Sequence, residues 1–188
     1  MTATVPLRVQ KTVVLVGLMG AGKTSIGRRL AQQLRLPFVD ADAEIEAAAG
    51  TTIEEIFQRH GEAAFRDGER RVIARLLEER PVQVLATGGG AFMDPETRAL
   101  IRGRCLSIWL RASLPLMLAR VARRNNRPLL KSGDPGPILE TLIAERYPIY
   151  AEADVTVDSV DGPPELTLER VMTALGDHLA AAERQAAP

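Results

Sequence analysis

The residues with the clearest chemical signature form a glycine-rich segment, GLMGAGKT, that runs from Gly17 to Thr24. This segment follows an apolar run and matches the pattern G-x-x-x-x-G-K-[ST] in the context the pattern requires, between a strand and a helix. Glycines leave backbone N–H groups open to phosphate oxygens, Lys23 brings a positive charge to the β- and γ-phosphates, and the Thr24 hydroxyl can bind Mg²⁺. Because Lys23 also opens a helix, the helix N-terminus faces the anion. The segment therefore predicts a nucleoside triphosphate site.

Two further apolar runs are followed by residues that could take part in the same chemistry. Asp40 and Asp42 come after the run PFV, and Gly88–Gly90 come after the run VQVLAT. In a parallel sheet the carboxyl ends of the strands meet at one edge, so these residues are predicted to share a site with the phosphate loop. Two alternatives stay open: Asp42 as the N-cap of a helix over 43–49, and the glycines as a flexible turn.

The residue after the apolar run VQVLA also indicates which residues could bind Mg²⁺. Many P-loop hydrolases end this strand with an acid that holds Mg²⁺. Here the position is occupied by Thr87. The carboxylate for the metal must come from elsewhere, and Asp40 or Asp42 at the neighbouring strand end is the nearest candidate.

Arginines provide the second group of candidate residues. Arg66 lies in FRDGE, where an ion pair with Glu69 on the surface is the alternative to a binding role. The polar stretch ARRNNRPLLKSGDPG, which carries Arg123, Arg124 and Arg127, is predicted to be a mobile surface loop. A lid that closes over a triphosphate needs arginines on such a segment.

A last arginine, Arg146, follows an apolar helical stretch and precedes Pro148, which is expected to bend or end that helix. Taken one by one, arginines are more often exposed to solvent than functional.

Short apolar runs alternate with amphipathic stretches along the whole chain, which predicts a parallel sheet with helices on both faces. The fold class is therefore α/β, a three-layer sandwich around a five-stranded sheet. Helix starts are marked by Thr52 with Glu55, spaced as a capping box, and by Asp94 before Pro95. The predicted strands are Thr12–Val16, Pro37–Val39, Val82–Ala86, Leu106–Leu110 and Asp154–Val157.

Composition limits the class of protein. The 188 residues are expected to form a single domain, 1–188, and 24 basic residues balance 24 acidic ones, so no overall field attracts nucleic acid or a membrane. The single cysteine, Cys105, fits a reducing compartment and is predicted to be buried. With no apolar segment typical of a signal peptide or a membrane span, the expected location is cytoplasmic.

Taken together, the motifs resemble the shikimate kinases, of the nucleoside-monophosphate-kinase-like P-loop group. The resemblance runs from Val13 to about Asp154 and rests on GLMGAGKT, FVDAD, FRDGE, ATGGGAF, RPLL and ERYPIYAEAD in the family's order. It implies a P-loop NTPase fold with an acceptor-binding segment at about 42–70 and a mobile lid at about 122–136. It also implies a monomer that transfers the γ-phosphate of ATP to the 3-hydroxyl of shikimate, with Mg²⁺, on the way to chorismate and the aromatic amino acids.

The resemblance also implies a role for each candidate residue. Lys23 acts in catalysis together with Arg127, the lid arginine that reaches the phosphates, and Asp42 either orients or deprotonates the acceptor hydroxyl. Thr24 binds Mg²⁺ and Asp40 supports the metal through water. The residues implied on the nucleotide are Gly20, Ala21, Gly22, Lys23, Thr24, Ser25, Arg127 and, near the adenine, Arg124 or its neighbour Arg123. Those implied on shikimate are Asp42, Arg66, Gly88, Gly89, Gly90 and Arg146, with the two arginines on its carboxylate.

Three other functions compete with this prediction. A kinase of another small molecule, such as gluconate, is expected to lack the combination of GGG, FRDGE and ERYPIY. A GTP-dependent switch is expected to carry N-K-x-D after a late strand, and the sequence contains none. A nucleoside monophosphate kinase fits the fold, but nothing in the acceptor region points to a pocket for a base.

Overall fold

The structure, a computed structural model, describes residues 7–122 and 134–186. Within these residues the strands are β1 (Val13–Val16), β2 (Phe38–Asp40), β3 (Val84–Ala86), β4 (Leu106–Arg111) and β5 (Val155–Asp158). They form a parallel sheet in the order β2-β3-β1-β4-β5. Each predicted strand is confirmed to within two residues at either end, because each contains apolar residues that are buried in the sheet.

Helices cover both sides of this sheet, which confirms the predicted class. The helices are α1 (Lys23–Leu34), α2 (Ala41–Ala49), α3 (Ile53–Glu79), α4 (Pro95–Arg104), α5 (Leu114–Ala122), α6 (Pro135–Tyr150) and α7 (Pro164–Ala186), with a 3-10 turn at Ala91–Met93. Apolar residues supply most of the buried positions of α1 and α3. A left-handed residue, Gly61 with φ of 77°, interrupts α3.

Helix starts follow the sequence signals in two cases and depart from them in a third. Thr52 accepts a hydrogen bond from the Glu55 N–H, and Asp94 caps α4 before Pro95, as predicted. The alternative that Asp42 caps a helix over 43–49 is wrong. Asp40 is the N-cap of α2 instead and accepts from the Asp42 N–H at 3.1 Å. Because the cap is Asp40, the Asp42 carboxylate lies in the first turn of α2.

Two further sequence predictions can be compared with the structure. Cys105 is buried, as predicted, and burial raises the pKa of its thiol to about 11. Helix α6 does not end at Pro148 but continues to Tyr150. Among the described residues, no helix is long and apolar enough to span a membrane.

Candidate active site

A cavity of about 610 Å³ opens at the carboxyl edge of the sheet, within the size range of small-molecule sites. The three segments predicted to meet there do meet. The loop after β1 lies along the cavity, Asp40 and Asp42 come from the start of α2, and Gly88 and Gly89 follow β3. Strands β1 and β3 are neighbours, and Thr87 ties them together by donating from its backbone and its hydroxyl to the Leu15 carbonyl.

The phosphate loop connects β1 to α1 through glycines in left-handed conformations. Gly22, the N-cap of α1, has φ of 101°, which side chains with a Cβ rarely adopt. The loop therefore leaves its N–H groups and the N-terminus of α1 unobstructed for an anion. The Lys23 ammonium donates to the carbonyls of Gly17 and Leu18 at 2.7 and 3.0 Å, so the charge lies within the loop itself.

A hydroxyl and a carboxylate lie side by side next to this loop. The Thr24 hydroxyl donates to Asp40 Oδ2 at 2.9 Å, while Asp40 Oδ1 caps α2. The described residues contain no group of three or more His, Cys, Asp or Glu that could form a complete metal cage. A hard cation bound here would take oxygen ligands from Thr24 and Asp40 and the remainder from water and phosphate, as Mg²⁺ commonly does.

Asp42 also lines the cavity, and its carboxyl group is largely buried there. Burial raises the pKa of the Asp42 carboxyl, the nearby Asp40 charge raises it further, and Lys23 and Arg66 act in the opposite direction. Asp42 Oδ1 lies so close to Gly88 that a Cβ there would approach it to 2.8 Å. The absence of a side chain at Gly88 therefore leaves room for the Asp42 carboxylate.

Arg66 and Glu69, on adjacent turns of α3, form the ion pair considered from the sequence, but this pair is not a surface one. Glu69 is 3% exposed, and the Arg66 guanidinium, 27% exposed, donates to it at 2.6 Å. Burial raises the pKa of Glu69, and Arg66 lowers it. A Cβ at Gly90 would overlap the Arg66 guanidinium, so the glycine is needed for close approach.

Arg146 reaches the glycine segment from the other side. It lies on α6, and its Nη1 donates to the Gly89 carbonyl at 3.1 Å. The Tyr150 hydroxyl, one helical turn further along, donates to the same carbonyl. Arg66 and Arg146 therefore reach the glycine segment at Gly90 and Gly89, next to residues that line the cavity.

Arg120, on the last turn of α5, is a cavity residue that the sequence did not reveal. Its Nη1 donates to the carbonyls of Gly20 and Ala21 and to the Ser159 hydroxyl, and its Nη2 donates to the Val160 carbonyl. The guanidinium thus joins the phosphate loop to the segment after β5. A basic residue in a last helical turn is common for other reasons, so sequence alone gave no signal.

The predicted lid residues Arg123, Arg124 and Arg127 lie outside the described residues. The roles proposed for them rest on the sequence alone.

A phosphate loop at the edge of a 2-3-1-4-5 parallel sheet, with a carboxylate and two arginines opposite, defines a P-loop kinase of small molecules. Comparison with known proteins makes the class specific. The model of the shikimate kinase family matches residues 19–176. The chain belongs to the shikimate kinase family.

Relatives in sequence and structure agree with this assignment. The shikimate kinase of Paramagnetospirillum magneticum is 60% identical over 172 residues, which cover 92% of this chain and 88% of the relative. That of Caulobacter vibrioides is 59% identical over 170 residues, covering 90% and 84%. The structure of a shikimate kinase from Acinetobacter baumannii in complex with shikimate has a TM-score of 0.82 and 38% identity, covering 89% of this chain and 94% of that one.

Proposed function

We propose that this chain carries out the reaction of its family, ATP-dependent phosphorylation of shikimate, in the cavity at the carboxyl edge of the sheet, with the 3-hydroxyl as the acceptor. The observation that carries the proposal is the position of Asp42. It lies between the phosphate loop, which contains Lys23, and the glycine segment flanked by Arg66 and Arg146. The side of the cavity at the phosphate loop is the nucleotide half, and the side at Gly88–Gly90 with Arg66 and Arg146 is the acceptor half. A phosphoryl donor in the first half and a small carboxylate acceptor in the second would meet at Asp42.

In the nucleotide half, backbone N–H groups of Gly20–Ser25 bind the phosphates and Lys23 neutralises their charge. Lys23 leaves its contacts with Gly17 and Leu18 to do so, a short movement because the loop surrounds it. Thr24 would ligate Mg²⁺ and Asp40 would support it through water, because oxygen groups of this kind suit that ion. When bound, Mg²⁺ neutralises charge on the β- and γ-phosphates.

In the acceptor half, Arg66 and Arg146 bind the shikimate carboxylate, since a guanidinium matches a carboxylate with two parallel hydrogen bonds. Asp42 accepts a hydrogen bond from the 3-hydroxyl and so points its oxygen at the γ-phosphorus. The backbone of Gly88–Gly90 lines this half. The complex of the Acinetobacter baumannii relative with shikimate supports the assignment of the acceptor.

The residues named here perform the tasks that phosphoryl transfer requires of a protein. Positioning and charge neutralisation dominate, because the transition state is loose and needs little covalent chemistry from side chains. Lys23 acts on the transferred group, and Asp42 orients the hydroxyl and takes its proton. As the new P–O bond forms, the bond between the γ-phosphorus and the β–γ bridging oxygen breaks, and ADP leaves. Arg127, predicted on the lid, adds positive charge and helps exclude water.

We further propose that the enzyme acts as a monomer, the state that the resemblance of its motifs to the family implies. The cytoplasmic location and the absence of nucleic-acid and membrane partners stay predictions from the sequence.

The test is ADP release from Mg·ATP with shikimate, gluconate, a nucleoside monophosphate or no acceptor. We expect turnover with shikimate alone and 3-phosphoshikimate as the product. Turnover with another acceptor alone would retain the nucleotide half and remove the roles assigned to Arg66, Arg146 and Asp42.

A further inference from the structure

Two donors on helix α6 converge on one carbonyl of the glycine segment. Arg146 and Tyr150 are four residues apart and therefore lie on the same helix face. The Arg146 guanidinium donates to the Gly89 carbonyl at 3.1 Å, and the Tyr150 hydroxyl donates to it as well. This requires the helix to continue past Pro148, as it does.

Tyr150 is held rigidly and stays a donor. Its side chain is fully buried, with ring centroids of Trp109, Tyr147 and Phe92 at 5.8, 6.3 and 6.4 Å. Burial raises the pKa of the Tyr150 hydroxyl to about 12, so the hydroxyl keeps its proton near neutral pH. A buried hydroxyl needs a hydrogen-bond partner, and the Gly89 carbonyl is that partner.

The glycine segment needs an external support of this kind. Three successive glycines have little intrinsic stiffness. Asp42 and Glu69 approach the segment at Gly88, and Arg66 approaches it at Gly90. The Gly89 peptide therefore lies between contacts that come from residues on three different helices.

We propose that Tyr150 is a positioning residue of the acceptor half: its hydroxyl fixes the Gly89 carbonyl and, through that shared acceptor, the Arg146 guanidinium. The proposal rests on the function assigned to this half of the cavity. Tyr150 does not touch the acceptor; it holds in place the two groups that do.

The experiment compares two isosteric variants in the same helix. Tyr150→Phe removes one hydroxyl and keeps the aromatic packing. Tyr147→Phe is the matched control, because the Tyr147 hydroxyl also donates to a backbone carbonyl, that of Ala112, away from the glycine segment. Steady-state kinetics with Mg·ATP gives KM for each substrate and kcat, and thermal unfolding gives Tm.

We expect Tyr150→Phe to raise the KM for shikimate about three- to tenfold, the factor for one lost neutral hydrogen bond. The KM for ATP and kcat at saturating shikimate should change less than about twofold, and Tyr147→Phe should leave all three constants unchanged. A merely structural hydroxyl would lower Tm without a selective effect on the shikimate constant. That result, or an equal effect of the two variants, overturns the proposal.

The wild type and Arg146→Lys separate this proposal from the function on which it rests. If the wild type does not phosphorylate shikimate, the proposed function fails. If the wild type is active and Arg146→Lys raises the KM for shikimate while Tyr150→Phe does not, the role of Tyr150 alone fails.

A second measurement leaves the Tyr150 hydroxyl in place and so does not depend on the folding of Tyr150→Phe. The chain has two tyrosines, so in Tyr147→Phe the position 150 can be labelled alone with 3-fluorotyrosine. We expect its ¹⁹F resonance to shift when shikimate is added without ATP. A resonance that does not move on saturation with shikimate counts against the proposal.

Discussion

Asp42 affects activity and the stability of the fold in opposite ways, because catalysis needs its charged form and burial disfavours that form. Its carboxyl pKa is raised by burial and by Asp40, so between the ordinary value of 3.8 and the raised value the folded state binds a proton that the unfolded state has released. The free energy of unfolding therefore falls as the pH rises through that window, and the cost persists above it. Activity that needs the carboxylate falls in the opposite direction, as the pH drops through the raised pKa.

The substitution Asp42→Asn separates these two effects. We expect kcat to fall by about 10²-fold or more, because the amide cannot take a proton. We also expect Tm near neutral pH to rise, because a buried charge is removed, and the gain to shrink as the pH approaches 4. Kinetics and thermal unfolding across pH measure both. Asp94→Asn is the control of opposite sign: it should leave kcat unchanged and lower Tm, because Asp94 caps α4 and pairs with Arg70. A lower Tm for Asp42→Asn would contradict the linkage.

Arg66 has two separable roles, since it is proposed to bind the acceptor and it also neutralises Glu69. The described residues offer Glu69 Oε1 no hydrogen-bond partner, and its other oxygen depends on Arg66. Loss of Arg66 would leave a buried carboxylate without its cation, which is costly.

We expect Arg66→Ala to raise the KM for shikimate by about 10- to 100-fold, the loss of a charge-assisted hydrogen bond. It should also lower the free energy of unfolding by about 2 kcal/mol, less than for a fully buried pair, because Arg66 is partly exposed. Adding Glu69→Gln to Arg66→Ala should restore stability but not acceptor binding. Chemical denaturation and kinetics on both variants measure this, and recovery of the shikimate KM in the double variant would limit Arg66 to neutralising Glu69.

At the scale of elements, the cavity depends on how loops from different strands are joined. Arg120 connects the loop after β1 to the segment after β5, two parts of the edge separated by β4 in the sheet. Its acceptors include the carbonyls of Gly20 and Ala21, whose peptide groups define the shape of the phosphate loop. We therefore expect a substitution of Arg120 to weaken the binding of ATP more than the binding of the acceptor.

The substitution Arg120→Met should raise the KM for ATP about tenfold, because several hydrogen bonds to the loop are lost and the loop loses its preorganised shape. The KM for shikimate should change less than about twofold. Arg111→Met is the control, since Arg111 pairs with Asp158 between β4 and β5 and is half-exposed. Equal changes in both Michaelis constants would show that Arg120 supports the fold in general.

The elements also show which features the sequence could predict. Strands and caps were predictable because they depend on local patterns, such as buried apolar runs and the Thr52–Glu55 spacing. The burial of Glu69 and the contacts of Arg120 could not be predicted. A charged residue in an amphipathic helix is usually solvated, and only the packing of a distant loop buries it. Pro148 was expected to bend or end α6, and the helix does not end there but reaches Tyr150. The contributions of the lid arginines stay predictions.

For the molecule as a whole, the arrangement of the cavity implies two halves that can be occupied separately. The phosphate loop with Lys23 forms one half, and the segment with Arg66 and Arg146 forms the other, with Asp42 between them. A ligand that binds the folded state alone stabilises it by mass action. Each substrate should therefore protect the whole domain against unfolding through its own half.

We expect either Mg·ADP or shikimate, at about 100 times its Kd, to raise Tm by about 5–10 °C, since such a concentration contributes about 2.7 kcal/mol. Lys23→Ala should lose the shift caused by Mg·ADP and keep that caused by shikimate, because its ammonium lies within the phosphate loop. Arg146→Ala should keep the shift caused by Mg·ADP and lose that caused by shikimate, because Arg146 donates a hydrogen bond to the Gly89 carbonyl in the acceptor half. Thermal unfolding of the three proteins with each ligand measures this. If either variant lost both Tm shifts, the two halves of the cavity would form one cooperative unit. Lys23 could then not be assigned to the nucleotide alone, nor Arg146 to the acceptor alone.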